Sequence, residues 1–327
     1  MMNVSVRALA LAVLAAMTAF VGPLPVDAQS TPAEITFGSL GATSAEWPMF
    51  IAEAQGFYKD EGISVSIVRG TSPPSITNMV ATGEVDLAAN GCDSEFVAVA
   101  HQLPIEIVGT SFSANPYSLV VLPNIKSWAD LKGKSVMLAT KEDVTAIVFG
   151  SLAAAHHLKL DDFSIIIGGS SAARYAGLVS GNVQGSMLMQ PFDLEAQAKG
   201  YPVLATASDT IKDWSFGCFV ANTDWAQKNR SLVVKFLRAV HRGMEYGYKH
   251  KDQAVAVFVN QTKIDPAIAV ATWDLDFGKW KAFDPTLRLT PAAAQAVGKY
   301  QVDLGIIPAL PPMKSLYDPS YAAEAVK

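Results

Sequence analysis

The sequence has 327 residues, half of them hydrophobic and 17% charged, which is enough chain for two globular domains with separate cores. The formal net charge of −5 gives no basic face of the kind that binds nucleic acid, so no nucleic-acid partner is expected. After the first thirty residues, no segment is apolar for long enough to cross a membrane.

The first thirty residues have the pattern of a secretory signal peptide. Arg7 precedes an apolar run at 8–21, and small residues before Gln29 predict cleavage after Ala28. The run is too short to span a bilayer comfortably, which argues against the alternative of a membrane anchor. We therefore predict that residues 1–28 are a signal peptide and that the chain is exported to the periplasm.

The mature chain alternates between short β-type runs and helical patterns. Each run is rich in Val, Ile, Leu or Met and is bounded by Gly, Pro or polar residues, which is typical of buried parallel strands connected by helices. The alternation occurs twice, with strands predicted at 35–38, 64–68, 85–90 and 105–110, and then at 135–139, 164–168, 185–189 and 203–207. Helices are predicted at 46–55, 73–82, 94–101, 143–157, 172–180 and 192–199.

Two extended segments interrupt this alternation. Residues 115–124 lie between the two sets of strands, and residues 213–222 follow the second set. They predict an α/β protein of two αβ lobes with mixed, mostly parallel sheets joined by a two-strand hinge. Lobe 1 would contain 29–116 and 217–327, and lobe 2 would contain 117–216. Helices predicted at 229–250, 252–260, 266–273 and 291–304 would complete lobe 1, and prolines from Pro308 to Pro319 predict a loose tail.

Polar loops follow the predicted strands where helices begin. Ligands of open α/β sheets bind at this edge, and the free backbone N–H groups of helix starts favour polar or anionic groups. Thr43 with Glu46, and Thr140 with Asp143, also have the spacing of helix caps, which is the structural alternative. The six loops are 39–47, 69–75, 90–95, 139–144, 168–174 and 189–193.

Aromatic residues at loop and crossing positions have two interpretations. Trp47, Tyr117, Trp214 and Phe216 would either stack on a ligand or pack in the core. The two cysteines, Cys92 and Cys218, would form a disulfide in an oxidising compartment or stay as two buried thiols, and the residues alone leave this open.

A search for catalytic motifs finds no phosphate-binding loop, dinucleotide fingerprint, zinc-binding helix motif or nucleophile elbow. The adjacent His156 and His157 cannot share a helix face. Asp93 and Glu95 near a helix start are better explained as caps than as a catalytic pair. No catalytic residue, metal or cofactor is expected, and the residues predict that the chain is not an enzyme.

Four stretches resemble the nitrate/sulfonate/taurine-type solute-binding proteins of ABC importers. They are "WPMFIAEAQGFYKDEGISVSIV" at 47–68, "MVATGEVDLAA" at 79–89, "IKSWADLKGKSVMLAT" at 125–140 and "GLVSGNVQGSMLMQP" at 177–191. The resemblance implies a monomeric periplasmic receptor of the type II periplasmic binding fold that closes on a small-molecule ligand and serves a membrane permease. It also implies that the strand after each crossing inserts antiparallel beside the third strand of its sheet, which brings Cys218 near Cys92 and favours a disulfide.

The same fold also occurs in the synthesis of the pyrimidine precursor of thiamin, where cysteine and histidine motifs act. An enzyme or a pyrimidine-binding protein on this scaffold is therefore the alternative, and a binding subunit of a sensor is a third possibility. The loop after residue 139 departs from the solute-binding pattern, because Lys141, Glu142 and Asp143 replace the Gly, Ser or Thr suited to an anion. The ligand stays open between a sulfonate or carboxylate and a heterocycle with donor groups. The predicted ligand-binding residues are Ser39, Thr43, Trp47, Thr71, Asn90, Asp93, Tyr117, Thr140, Lys141, Gln190 and Trp214.

Overall fold

Two mixed five-stranded sheets form the centre of the protein in the computed structural model, which describes residues 31–211 and 214–327. The predicted signal peptide lies outside these ranges. The strands are β1 (Ala33–Ser39), β2 (Ile63–Arg69), β3 (Leu87–Gly91), β4 (Ile105–Phe112), β5 (Ser118–Val121), β6 (Ser135–Leu138), β7 (Ser164–Ile167), β8 (Gly185–Leu188), β9 (Val203–Thr206) and β10 (Gly217–Asn222). The first sheet has the order β2-β1-β3-β10-β4 and the second the order β7-β6-β8-β5-β9.

The two sheets are built on one plan, and the strand that crosses between them occupies the same place in each. β10 runs antiparallel to β3, with Cys218 opposite Asn90, and β5 runs antiparallel to β8. β1 pairs in parallel with β2 and β3, and β6 pairs in parallel with β7 and β8. This arrangement confirms the two-lobed α/β fold and the antiparallel insertion that the resemblance implied.

Helices cover the sheets and end near the predicted positions. Gly83, for example, ends a helix in the left-handed conformation with φ of 74°. The helices of the described residues are α1 (Trp47–Ala54), α2 (Phe57–Asp60), α3 (Pro73–Thr82), α4 (Cys92–Ala100), α5 (Trp128–Leu131), α6 (Val144–Ala154), α7 (Ser171–Val179), α8 (Phe192–Ala198), α9 (Thr223–Lys228), α10 (Arg230–Lys249), α11 (Lys251–Thr262), α12 (Pro266–Trp273), α13 (Pro291–Asp303), α14 (Met313–Leu316) and α15 (Pro319–Ala325). Every helix of these ranges falls short of the length or apolarity that crossing a bilayer requires.

The hydrophobic core continues from one sheet to the other. One buried cluster joins Phe96 and Ile107 of the first sheet's side to Leu119 and Phe149 of the second. Contacts accordingly unite Pro32–Lys327 into one compact unit. The domain limits at 116/117 and 216/217 therefore stay a prediction, although each sheet draws its strands from the segments that they define.

The C-terminal segment is folded, so the predicted loose tail is wrong. Pro319 stands in the first turn of α15, where the missing N–H costs no helical hydrogen bond, and Asp318 caps the same turn by accepting from Ser320 N at 2.8 Å. Tyr321 is buried against α10, and the guanidinium of Arg230 lies 4.5 Å from its ring centre. Pro312 caps the start of α14 and Pro319 begins α15, so these two prolines mark helix starts and not a loose tail.

A disulfide joins Cys92 at the start of α4 to Cys218 of β10, with the two Cα atoms 5.0 Å apart. The antiparallel pairing of β10 with β3 produces this proximity, since Cys92 directly follows β3. The bond connects residues 126 positions apart, and the chain has no free cysteine.

Candidate functional site

A cleft of about 90 Å³ lies between the two sheets, where the carboxyl ends of their parallel strands meet. All six predicted polar loops contribute to its wall. The lining residues are 40–43, Ala45 and Glu46 after β1, Pro73 after β2, Asn90 and Gly91 at the end of β3, Ala139 after β6, 169–172 and Arg174 after β7, and Met189 and Phe192 after β8, with Ala89, Ser111, Tyr117, Phe216 and Gly217 completing the lining.

The two lobes contact each other on both sides of the cleft. On one side, the backbone N–H of Ser44 donates to the carbonyl of Gln190 at 3.3 Å. On the other side, the backbone N–H of Val144 donates to Asp93 Oδ2 at 2.8 Å. These bonds connect lobe 1 to lobe 2 and exist only while the lobes are together.

Gly169 of lobe 2 lies close to the backbone of Thr71 in lobe 1. Its φ is +62°, and a Cβ added there would lie 2.6 Å from the carbonyl oxygen of Thr71 in the other lobe. We expect Gly169→Ala to hold the lobes apart and to weaken ligand binding by about tenfold or more, because overpacking a tight contact typically costs about 1–3 kcal/mol. Small-angle X-ray scattering should show a larger radius of gyration for the variant.

The matched control for this prediction is Gly181→Ala. Gly181 has a similar φ of +76°, but an added Cβ would meet no atom within 4 Å. Both variants carry the backbone strain of a left-handed alanine, and only the first carries the clash between lobes. Equal radii of gyration and equal affinities in the two variants would contradict the prediction.

Arg174 is a cationic residue of the cleft wall and is 1% exposed. Nε donates to the carbonyl of Met187 at 2.7 Å, Nη2 donates to Ser171 Oγ at 2.8 Å, and Nη1 donates to the carbonyl of Gly169. None of the ion pairs found in the described ranges includes Arg174. The guanidinium therefore keeps donor capacity beside the cleft and makes no direct ion pair, although its charge lowers the pKa of the buried Asp143 against the effect of burial.

Tyr117 forms an aromatic wall of the same cleft. Its ring packs edge-on against Phe216 with centres 5.5 Å apart, and the guanidinium carbon of Arg174 lies 5.7 Å from its centre. Burial raises the pKa of the Tyr117 hydroxyl above its ordinary value. The phenol therefore stays neutral and can donate a hydrogen bond to a ligand.

Glu46 supplies a carboxyl group to the lobe 1 side of the cleft. One of its oxygens accepts from the hydroxyl of Ser39, and the other lies 3.7 Å from Arg69 Nη1. Burial raises the pKa of the Glu46 carboxyl to about 7. The hydrogen bond from Ser39 and the positive charge of Arg69 lower this pKa and only partly offset the effect of burial. Thr43 makes no side-chain cap, so the predicted capping box at Thr43 and Glu46 is wrong.

Two carboxyl groups from opposite lobes come together beside the cleft. Asp93 of α4 and Asp143 at the start of α6 are both buried. Burial, and to a lesser extent the neighbouring Asp143, raises the pKa of Asp93 to about 8. The hydrogen bond from the Val144 N–H lowers this pKa and partly offsets the increase. Burial also raises the pKa of Asp143. Closure of the lobes at neutral pH therefore favours a proton on this pair.

Both tryptophans predicted as ligand residues belong to the core. Trp47 is fully buried, stacks on Phe258 with ring centres 4.1 Å apart, and donates from Nε1 to the carbonyl of Ala254 at 2.8 Å. Trp214 is 4% exposed and packs against Tyr300 with ring centres 6.0 Å apart. Neither lines the cleft. The core alternative is correct for both, because α11 and α13, which lie far along the chain from Trp47 and Trp214, pack against these rings.

The loop that follows β6 does not face the cleft beyond Ala139. Thr140 and Lys141 line a separate groove of about 430 Å³ beside α3 and α4. Thr140 and Asp143 bond each other reciprocally through side chain and backbone, which is the predicted capping pattern, but the helix begins only at Val144. Thr140 and Lys141 are therefore placed outside the cleft by the position of this turn.

The remaining predicted residues lie in or close to the cleft. Thr43, Asn90 and Tyr117 line it. Ser39 lies behind Glu46, Thr71 contacts the other lobe through its carbonyl, and Asp93 and Gln190 join the lobes at the sides. Whether these residues bind a ligand stays a prediction.

Arg174 was not among the predicted ligand-binding residues, although its loop is one of the six predicted loops. A signal was present, since a cation in the first turn of a helix opposes the helix dipole and needs a reason to be there. Arg174 also stands among small residues, in "GGSSAAR" at 168–174. Ser111 and Phe192 were missed as well, and they have no comparable local signal.

Residues 44–254, well over half of the chain, match the sequence profile of the family described as NMT1/THI5 like. The chain belongs to this family. Among curated members of similar sequence are 4-amino-5-hydroxymethyl-2-methylpyrimidine phosphate synthases. That of Schizosaccharomyces pombe is 26% identical over 215 residues, with 61% of each chain covered, and that of Candida albicans is 23% identical over 229 residues, with 65% of this chain and 66% of the relative covered. The chain spans about three fifths to two thirds of the length of these relatives.

These relatives correct one prediction. The residues predicted that the chain is not an enzyme, whereas the curated family members that it resembles are named as synthases. The prediction relied on the absence of known catalytic motifs, and such motifs do not transfer between families. A search by motif therefore could not have detected a family with its own arrangement of groups.

Solved structures of solute-binding proteins share the fold. The periplasmic aliphatic sulphonate binding protein from Escherichia coli superimposes with a TM-score of 0.69 at 17% identity, covering 88% of this chain and 92% of that chain. The periplasmic nitrate-binding protein from Synechocystis PCC 6803 superimposes with a TM-score of 0.72 at 15% identity, covering 90% of this chain and 88% of that chain. The architecture is that of a periplasmic binding protein.

Proposed function

We propose that this chain is the periplasmic substrate-binding component of an ABC importer, which captures a small polar or anionic organic solute between its lobes. The observation that carries the proposal is the buried Arg174 in the cleft wall, without an ion pair in the described ranges. The structural neighbours that bind sulphonate and nitrate support it at the level of the fold.

A buried guanidinium without a direct ion-pair partner is costly, and an anionic ligand in contact with it would reduce that cost. Arg174 has five N–H donors and uses three of its nitrogens for neutral oxygen acceptors. A carboxylate or sulfonate in the cleft would take the remaining donors in charge-assisted hydrogen bonds, which are about twice as strong as neutral ones. The ligand would thus complete the site when the lobes close.

The other walls suit an organic solute better than an inorganic ion. Tyr117, Phe192 and Phe216 offer aromatic surface, and Ser111 offers a hydroxyl. Glu46 on the lobe 1 side would accept from a donor of the ligand. The contacts together describe a solute with an anionic end and an apolar or flat body.

The second candidate is synthesis or binding of a thiamin pyrimidine precursor, and the curated synthases favour it. Histidine side chains and free thiols are absent from the cleft lining in the described part of the chain. A reaction in this cleft would therefore use Glu46, Tyr117 or Arg174 for proton transfer and charge stabilisation. Loss of turnover in Glu46→Gln, with retained binding, would identify this activity.

Mass spectrometry of protein purified without denaturation tests the proposal directly. We expect the released molecule to be a small organic acid and to raise the melting temperature when it is added back, because a ligand that binds only the folded state stabilises it. The same mixture incubated for hours should contain the ligand unchanged in the importer case and a new product in the synthase case. Absence of binding across carboxylates, sulfonates and pyrimidines would contradict both.

The proposal includes export by residues 1–28 and action as a monomer alongside a permease. Cell fractionation of the full chain should place a shortened product in the periplasm, and a variant starting at Gln29 should stay in the cytoplasm. Light scattering of the mature chain should give the mass of one copy.

A further inference from the structure

We propose that Asp93 and Asp143 form a proton-dependent latch, which holds the two lobes together in acid and lets them separate as the pH rises. The latch is a property of the contact between the lobes and needs no ligand, so the inference goes beyond the proposed function. Asp93 stands in the first turn of α4 in lobe 1, and Asp143 caps the start of α6 in lobe 2. Their exposed fractions are 1% and 5%.

The two acids meet where the lobes are joined by a hydrogen bond. The N–H of Val144 in lobe 2 donates to Asp93 Oδ2 in lobe 1 at 2.8 Å. Asp143 is connected to that nitrogen by one peptide bond, so its Cα lies within about 6 Å of Asp93 Oδ2. Separation of the lobes would break this hydrogen bond and move the two acids apart at the same time.

Each acid is fixed to its own lobe by other hydrogen bonds. The carboxyl group of Asp143 accepts from the N–H of Thr140 and from the N–H and hydroxyl of Thr145, all in lobe 2. The carbonyl of Asp93 accepts from Gln301 Nε2 at 2.7 Å, in lobe 1. The distance between the acids therefore follows the position of the lobes.

No direct ion pair neutralises the two acids. Neither of them belongs to an ion pair found in the described ranges. Burial raises the pKa of Asp143, and the charge of Arg174 offsets this only in part. Asp93 Oδ1 is buried and has no hydrogen-bond partner in the same part of the chain. The lobes are therefore held together best when this pair carries a proton.

The other ionisable groups around Asp93 do not reverse this effect. The charge of Glu95, on the same helix, raises the pKa of Asp93 further. Tyr117 stays neutral, because burial raises the pKa of its hydroxyl. Of the segments packed against α4, α3 has no ionisable side chain. The charged side chains of the other packed segments and of the loop before Asp143 are half-buried or exposed, namely Glu106, Lys141, Glu142, Lys299, Asp303 and Lys314.

The direction of the pH effect follows from Asp93. Its pKa is about 8 in the folded protein, because burial and, to a lesser extent, Asp143 disfavour the charged form. Both causes weaken when the lobes separate, so the separated form binds fewer protons between the ordinary pKa of 3.8 and about 8. In that range the ratio of joined to separated protein should fall by up to about tenfold per pH unit.

Small-angle X-ray scattering of the ligand-free mature chain tests the latch. We expect the radius of gyration of the wild type to be larger at about pH 9 than at about pH 5. Asp93→Asn should keep its acid radius at both pH values, because asparagine keeps an acceptor for the Val144 N–H and carries no charge. Asp143→Asn keeps a helix cap and should show a smaller increase than the wild type, which covers the case in which Asp93→Asn fails to fold.

Circular dichroism at each pH identifies the samples that are folded. A wild-type radius that does not change with pH would overturn the inference. So would a folded Asp93→Asn or Asp143→Asn protein that expands as much as the wild type does.

The matched control for these variants is Glu95→Gln. Glu95 is buried on the same helix, and burial raises its pKa to about 7, but its partners Asn90 and Thr77 belong to lobe 1. Glu95→Gln should therefore expand with pH as the wild type does. A folded Glu95→Gln protein that stays compact at high pH would place the pH response inside lobe 1 and would overturn the assignment to the lobe contact.

Amide hydrogen exchange gives a second readout at the contact itself. The protection of the Val144 N–H, relative to its intrinsic exchange rate, should fall as the pH rises, because separation of the lobes breaks its bond to Asp93. The N–H of Ala139 donates to Thr145 Oγ1 at 2.9 Å within lobe 2 and should keep its protection. Equal losses at the two amides would show loosening of lobe 2 alone and would contradict the latch. Neither measurement uses a ligand, so failure of the latch leaves the proposed function standing, and absence of acid binding counts only against the proposed function.

Discussion

Replacing Arg174 with glutamine should weaken the binding of a carboxylate or sulfonate ligand by about 10- to 100-fold, because a hydrogen bond to a charged group contributes about 1.5–3 kcal/mol. Glutamine can still donate to one backbone carbonyl, but it has no charge to compensate an anion. The Kd of Arg174→Lys should lie between those of the wild type and Arg174→Gln, because lysine keeps the positive charge but lacks the planar guanidinium group. Calorimetry with the ligand identified by mass spectrometry measures the three values of Kd.

The matched control for Arg174→Gln is Arg230→Gln. Arg230 forms an exposed ion pair with Glu324 at 3.0 Å, far along the chain from the cleft loops, and its loss should leave the Kd unchanged. Because Arg174 also holds the carbonyls of Gly169 and Met187, the melting temperature of each free variant must be measured. An Arg174→Gln protein that is folded and binds anions as well as the wild type does would contradict the proposed role.

The stability of the folded protein should fall as the pH rises from about 5 to about 8, and Asp93 should contribute to the fall. Its pKa in the folded protein is about 8, above the ordinary value of 3.8, since burial and Asp143 disfavour the charged form. The folded state therefore binds more protons than the unfolded state across this window. The contribution of Asp93 to the free energy of unfolding is fully present below about pH 4 and is lost as the pH rises to about 8. At about 1.4 kcal/mol per pH unit at most, the loss lowers the melting temperature by about 5 °C or more.

Asp93→Asn isolates this contribution. Asparagine keeps an oxygen acceptor for the N–H of Val144 and carries no charge at any pH. We expect the variant to melt several degrees above the wild type at pH 8 and close to it at pH 5 in calorimetric scans. Glu46, Glu95 and Asp193 also have pKa values raised to about 7, so a smaller pH dependence should remain.

The exposed Asp303 serves as the control for this substitution. It pairs with Lys299 on one face of α13, and Asp303→Asn should leave the pH dependence as in the wild type. An Asp93→Asn protein whose melting temperature falls between pH 5 and 8 as steeply as that of the wild type would show that Asp93 is ionised in the closed protein.

Much of the fold could be predicted because local sequence patterns indicate where its strands and helices begin and end. Buried parallel strands are apolar throughout, and the residues that begin and end helices have local chemistry, as the left-handed Gly83 shows. The six loops that line the cleft could be predicted for the same reason, since the end of a strand is a local feature and the rule that relates strand ends to clefts is general. The prolines near the C-terminus show the limit of local reading, because Pro319 suits a helix start as well as an irregular tail.

The sequence by itself determined the alternation of strands and helices, the two crossings between the sheets and the edge of the sheets where the cleft lies. Only the tertiary structure decided which side chains face that cleft. Trp47 and Arg174 show the reason: both stand in polar loops or at helix starts, yet Trp47 is enclosed by Phe258 from a helix more than two hundred residues later, whereas Arg174 is turned to the cleft by the carbonyls of Gly169 and Met187. The ring that encloses Trp47 comes from a distant helix, and the Met187 carbonyl that Arg174 binds comes from the next strand, so the immediate chain neighbours of these residues do not determine either orientation.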